Sequence, residues 1–173
     1  MPTSRHRLAA VSLGGRVFAL GGWTNHVGYL RTLEEYDPTT DTWTAGPAMT
    51  ESRETFSAVV MNDVVYAIGG KHDAGGMFAK AKAYDPYADR WSAVASMPGP
   101  GGTPAVAMGG YIYHVQANRA TYEYNPGDDS WSSLPDLGPE KGCDGVVALA
   151  VDNDIYWMGG VKHDGTVAPV ERG

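Results

Sequence analysis

Val17-Phe18-Ala19-Leu20-Gly21-Gly22 is followed, fourteen residues after Gly22, by Tyr36-Asp37-Pro38-Thr39-Thr40-Asp41-Thr42-Trp43, and this stretch decides the architecture. Its first landmark, Ala19-Leu20-Gly21-Gly22, returns as Ala67-Ile68-Gly69-Gly70 and as Trp157-Met158-Gly159-Gly160. Its second, Tyr36-Asp37-Pro38, returns as Tyr84-Asp85-Pro86 and, with one change, as Tyr124-Asn125-Pro126. A tryptophan follows each of these tyrosines by seven residues, at Trp43, Trp91 and Trp131. The period is 48 residues from Gly21 to Gly69 and 40 from Trp91 to Trp131. Self-similarity at such a period is the mark of a repeat architecture, in which each unit buries its faces against its neighbours.

Within a unit the apolar runs are short. Leu8 to Leu13, Val17 to Leu20, Leu33 to Tyr36 and a last piece opened by Trp43 read as four strands. Turn chemistry separates them: Gly14-Gly15, the loop after Gly22, and Pro38 to Asp41. No stretch keeps a 3.6-residue period long enough for a helix. The 23 glycines and 11 prolines make up about a fifth of the 173 residues, which suits many turns. The Gly-Gly pairs supply positive φ and close packing, and the Tyr and Trp rings are expected between neighbouring units.

A doubled glycine closing the second strand, a Tyr ending the third, a Trp opening the fourth and a period near fifty together resemble kelch repeats. The resemblance implies an all-β fold, a kelch-type β-propeller segment of about 3.75 four-stranded antiparallel blades in an incomplete ring. The blades are expected at residues 1–48, 49–96, 97–137 and, in part, 138–173. The wording of the first two units is most similar to the kelch portion of BTB-kelch adaptor proteins. Two departures stand out. Gln116-Ala117 replaces the third Gly-Gly, and Val170-Glu171-Arg172-Gly173 aligns with Leu33-Glu34-Glu35-Tyr36 at the end of the chain.

The resemblance implies a non-catalytic protein- or peptide-binding module that uses inter-blade loops and second-to-third-strand loops on one face. By position, the partner-binding candidates are Arg5 and Arg53 between blades, with Trp23, Asn25, His26 and Tyr29 in the first long loop. Lys71, His72 and Asp73 follow in the second, Asn118 and Arg119 in the third, and Lys162, His163 and Asp164 in the fourth. Arg, Trp, Tyr and His are hot-spot residue types, and a basic cluster in an acidic protein suits an acidic peptide. The competing reading within the same fold is a carbohydrate-binding or sugar mutarotase-like enzyme; the His, Tyr and Cys set of a copper oxidase is not present.

Charge and cysteine content narrow the rest. Thirteen basic against twenty acidic residues give a net charge of −7, which disfavours nucleic acid. One cysteine, Cys143, rules out an internal disulfide and a Cys-based metal cage. The paired Lys-His-Asp runs at 71–73 and 162–164 offer too few ligands for zinc, so no metal and no cofactor is expected. No apolar run approaches a membrane span, and a cytoplasmic setting is the expectation. A stack of fewer than four blades leaves two apolar blade faces uncovered, and covering about 400 Å² contributes on the order of 10 kcal/mol before association costs. The chain is therefore expected to form a homo-oligomer, with two copies able to complete a ring of seven or eight blades. The other expectation is an orphan fragment of a longer protein.

Overall fold

The computed structural model describes residues 1–102, 104–116, 120–135, 145–161 and 170–172. Three four-stranded antiparallel sheets and one three-stranded sheet follow one another along the chain. The first blade contains β1 (Ala9–Leu13), β2 (Arg16–Leu20), β5 (Leu33–Asp37) and β6 (Thr42–Ala45). A small hairpin, β3 (Trp23–Thr24) with β4 (Gly28–Tyr29), decorates its long loop. The second blade is β7 (Ser57–Met61), β8 (Val64–Ile68), β9 (Ala81–Asp85) and β10 (Arg90–Val94). The third is β11 (Ala105–Met108), β12 (Tyr111–Val115), β13 (Thr121–Asn125) and β14 (Ser130–Leu134). The last holds β15 (Val147–Val151), β16 (Asp154–Met158) and β17 (Glu171–Arg172).

The registers repeat with the sequence. Tyr36 pairs with Trp43, Tyr84 with Trp91 and Tyr124 with Trp131, directly across the third and fourth strands. Trp157 pairs with Glu171 as Ala19 pairs with Glu34, so the chain's last strand occupies the third place of its blade. First strands of consecutive blades stand side by side, β1 by β7, β7 by β11 and β11 by β15. The sheets stack as an open segment of a β-propeller, all-β as the repeats imply.

Three core clusters lie between blades. Phe18, Leu20 and Leu33 of the first blade meet Val65, Ala67 and Tyr84 of the second. Tyr66 and Ile68 meet Ile112 and Tyr124, and Val106 and Val115 meet Ile155 and Trp157. The ring of Tyr84 packs edge-on against Phe18 at 6.1 Å, and that of Tyr124 is tilted against Tyr66 at 5.8 Å. Each following tryptophan ties its blade to the one before. Trp91 Nε1 donates to the Pro47 carbonyl and Trp131 Nε1 to the Ala95 carbonyl, both at 2.8 Å. A third recurring bond runs from the tyrosine hydroxyl to a turn aspartate, Tyr36 to Asp41, Tyr84 to Asp89 and Tyr124 to Asp129.

The doubled glycine has a steric cause. Gly69 has φ +63°, and a Cβ there would stand 2.0 Å from the Gly101 carbonyl oxygen of the incoming inter-blade loop. Gly21 is equally constrained, with the Arg53 carbonyl 2.5 Å from such a Cβ. In these two pairs the second glycine then donates to that same carbonyl: Gly22 N to Arg53 O at 2.8 Å and Gly70 N to Gly101 O at 2.7 Å. Side chains at the first glycine would push neighbouring blades apart. In the third blade Gln116 serves instead, its amide donating to the carbonyls of Gly99 and Pro100.

Candidate functional site

Loops at one end of the first two blades enclose a half-open cleft of about 540 Å³. Three segments build it: residues 27–32 before β5, residues 50–52 between the blades, and residues 72–80 before β9. These are the inter-blade and second-to-third-strand loops singled out from the repeat pattern. Their backbones are pinned to the blades. Met49 N donates to the Arg31 carbonyl, Arg53 N to Leu30 O and Phe78 N to Gly70 O, each at 2.8–2.9 Å. Rigid strands thus hold loop side chains at fixed positions.

Of the residues expected to contact a partner, Tyr29, His72 and Asp73 line this cleft. Trp23 is half-buried, with its ring 5.1 Å from His6, and lies outside the lining. His26 and Lys71 are exposed but stand outside it too. Asn118, Arg119, Lys162, His163, Asp164 and Cys143 fall outside the described residues. His72 contacts Asp73 at 3.6 Å, and among the described residues no three His, Cys, Asp or Glu converge as metal ligands. No helix among the described residues is long and apolar enough to cross a membrane.

Arg5 and Arg53 correct the positional expectation. Both guanidiniums turn into the protein, where a partner cannot reach them. The Arg5 side chain is 0% exposed, bonds the Gly21 carbonyl at 2.9 Å and pairs with Glu34 at 2.8 Å. Arg53 is 0% exposed and donates to the carbonyls of Ala67, Gly69 and Lys80. Its guanidinium lies 4.8 Å from the Phe78 ring centroid and 5.7 Å from that of Phe56. The physical reason is the doubled glycine. It brings the next loop's backbone so close to the strand end that the arginine beside it folds inward onto backbone carbonyls. In the second blade Lys82 stands where the first has Glu34, so Arg53 lacks the carboxylate that Arg5 enjoys. Burial lowers the Arg53 pKa to about 10, against the opposing pull of Glu51.

Other residues supply the accessible chemistry. Arg31, Thr32, Thr50, Glu51, Ser52, Phe78 and Lys80 line the cleft and were not among the sequence candidates. They sit on the loops identified from the repeat, but a single-sequence reading favours the residues directly after Gly-Gly over those leading into the next strand. The 48-residue offset would have flagged Thr32 and Lys80 as equivalent positions. Glu51 is the electrostatic hub, accepting from Lys80 Nζ at 2.9 Å with Lys82 Nζ at 3.6 Å. Burial works to raise its pKa, but hydrogen bonds from Thr50 and Lys80 and the Lys82 charge outweigh this and hold it at about 2. The Ser52 hydroxyl is buried without a partner among the described residues. In the cleft lining the cations Arg31 and Lys80 stand beside the carboxylates Glu51 and Asp73, and Lys82, outside the lining, adds its charge at Glu51. Tyr29, Phe78 and Val27 give the cleft an apolar wall.

Comparison with known proteins agrees with this architecture. The Kelch motif matches residues 4–50 and 52–98, which together exceed half of the chain. A stretch of 43 residues is 40% identical to N-acetylneuraminate epimerase of Pasteurella multocida, covering 25% of this chain. That stretch spans 11% of the epimerase. The motif describes the repeat itself, so the narrower likeness to BTB-kelch adaptors lies beyond it. Repeats, registers and motif together place the chain in the kelch family.

Proposed function

We propose that the chain is a non-catalytic binding module that takes an acidic polypeptide segment in the cleft between its first two blades. The observation that carries this reading is Arg31, a cation of the cleft lining without a carboxylate partner among the described residues, beside an apolar wall in a chain of net charge −7. Arg31 is exposed, and among the described residues its guanidinium has no carboxylate within ion-pair distance. An Asp or Glu of the ligand meets Arg31, and an adjoining aromatic or aliphatic side chain rests on Tyr29 and Phe78. Lys80 is already engaged by Glu51, so it positions the loop and shapes the field more than it grips a ligand. Arg5 and Arg53 contribute rigidity by fixing strand ends.

The likeness to an epimerase supports a second reading, in which the same cleft holds a sugar acid such as N-acetylneuraminate. One experiment separates the two. Fluorescently labelled eight-residue peptides pairing Asp or Glu with an aromatic residue are titrated against the chain, beside matched peptides with Lys in place of the acids. The acidic set is expected to bind in preference, to weaken as salt rises, and to lose about tenfold in affinity with Arg31→Glu. Equal binding of both sets, or unchanged affinity in the variant, overturns the peptide reading. Saturable N-acetylneuraminate binding abolished by Arg31→Glu selects the sugar reading.

A further inference from the structure

Arg5 and Arg53 stand 48 residues apart at the same place in the repeat, yet only the first is fully paired. Each spends Nη1 on backbone carbonyls, Arg5 on Gly21 and Arg53 on Ala67, Gly69 and Lys80. The other edge of the guanidinium, Nε with Nη2, is where they differ. In Arg5, Nε donates to the Thr3 carbonyl at 3.3 Å and Nη2 meets Glu34 Oε2 at 2.8 Å. In Arg53 both nitrogens are buried and have no partner among the described residues. A charged edge taken out of water without a partner loses its hydration and gains nothing in return.

The residues that leave this edge bare are set by the repeat. Lys82 lies opposite Ala67 as Glu34 lies opposite Ala19, so a cation stands where the first blade has its carboxylate. Glu51 takes the place of Thr3, but the lysines engage it, Lys80 Nζ at 2.9 Å and Lys82 Nζ at 3.6 Å. Three cations, Arg53, Lys80 and Lys82, thus gather around one carboxylate. Ser52, next in the chain to Arg53, lines the cleft and carries a second buried donor with no partner among the described residues. The half-buried Phe78 ring touches both sides: its centroid is 4.8 Å from Arg53 Cζ, and it lines the cleft.

We infer that the Nε–Nη2 edge of Arg53 is a subsite for one carboxylate group, which enters from the cleft when the Phe78 ring turns aside. The N–H groups of that edge project in parallel, the pattern that the two oxygens of a carboxylate fill side-on. The first blade supplies the chemistry, because there the same edge holds the carboxylate of Glu34. A carboxylate also brings the negative charge that the three cations around Glu51 leave uncompensated. With Phe78 in place the guanidinium is closed off, so the occupant is a small free carboxylate or a single acidic side chain reaching in from the cleft. The subsite needs only Arg53 and its surroundings, and stands whether or not the cleft takes acidic peptides.

The test follows the Arg53 Nε–H signal by NMR on the full chain labelled with ¹³C and ¹⁵N, assigned through its own side-chain carbons. Sodium acetate is expected to shift that signal saturably, with millimolar affinity, while sodium chloride leaves it in place. Glu51→Thr combined with Lys82→Glu copies Thr3 and Glu34 into the second blade. In this double variant the signal is expected at the shifted position before acetate is added, and the acetate response to fall about tenfold, because the edge is filled from within. Lys82→Glu alone makes the same comparison if circular dichroism shows the double variant unfolded. A wild-type signal unmoved by acetate up to about 100 mM overturns the inference, as does an equal shift with chloride or a variant that responds like wild type. Acidic peptides then identify the source. A peptide that shifts the Arg53 signal supplies the carboxylate from a side chain, and one that leaves it unmoved assigns the acetate-responsive subsite to free carboxylates.

Discussion

His114 occupies, in the third blade, the strand position that holds Ala19 in the first and Ala67 in the second. It is completely buried, with Nε2 3.2 Å from the Gly102 carbonyl, and Nδ1 has no partner among the described residues. Burial lowers its pKa to about 4, more than the Gly102 bond raises it. The imidazole is then neutral when folded and takes up a proton readily only when unfolded. Between about pH 6.5 and 4 the unfolded state binds more protons, so stability falls as pH falls through this window, by about 3 kcal/mol at its lower end. Denaturant melts across that range should show the slope in wild type and a much flatter one in His114→Ala. An unchanged slope in the variant would assign the effect to other groups. His114 could not have been singled out from sequence: its strand reads simply as an apolar run, and what buries it is the glycine-rich loop at 101–102 from between blades. The inward turn of Arg5 and Arg53 was illegible for the same reason, since the carbonyls that capture them lie 14 to 27 residues further along the chain.

Strands and their pairing were much more legible than side-chain contacts. Tyr and Trp seven residues apart, with an Asp-Pro or Asn-Pro turn between them, can only face each other across a tight hairpin. The observed pairs Tyr36–Trp43, Tyr84–Trp91 and Tyr124–Trp131 follow directly. The direction of the contact between blades was not available from spacing, because it depends on which sheet face each ring occupies. That direction makes the three tryptophans unequal. Trp91→Phe removes a bond to Pro47 and leaves that carbonyl unpartnered, and should cost about 1–2 kcal/mol in unfolding free energy. Trp43→Phe, at an indole with no such acceptor among the described residues, should cost within about 0.5 kcal/mol. Equal losses from thermal or urea unfolding would mean that the tryptophan bond between blades contributes nothing particular to the stack.

On the scale of the whole molecule, the blades act as a frame that brings three loops distant in sequence to one cleft. The repeat pattern located those loops, and Tyr29, His72 and Asp73 line the cleft they form. Charge balance within the cleft escaped it, because which cations are spent on Glu34, Glu51 or backbone carbonyls is decided by packing. With Lys80 paired to Glu51, Arg31 is the cation of the cleft lining that has no carboxylate partner among the described residues. The most direct measurement is amide shift mapping on uniformly ¹⁵N-labelled chain titrated with the best-binding acidic peptide. Perturbations should concentrate at residues 27–32, 50–52 and 72–80 and leave the opposite-end turns at 38–41 and 86–89 unmoved. Perturbations centred on those turns, or spread evenly over the blades, would contradict the cleft as the binding site.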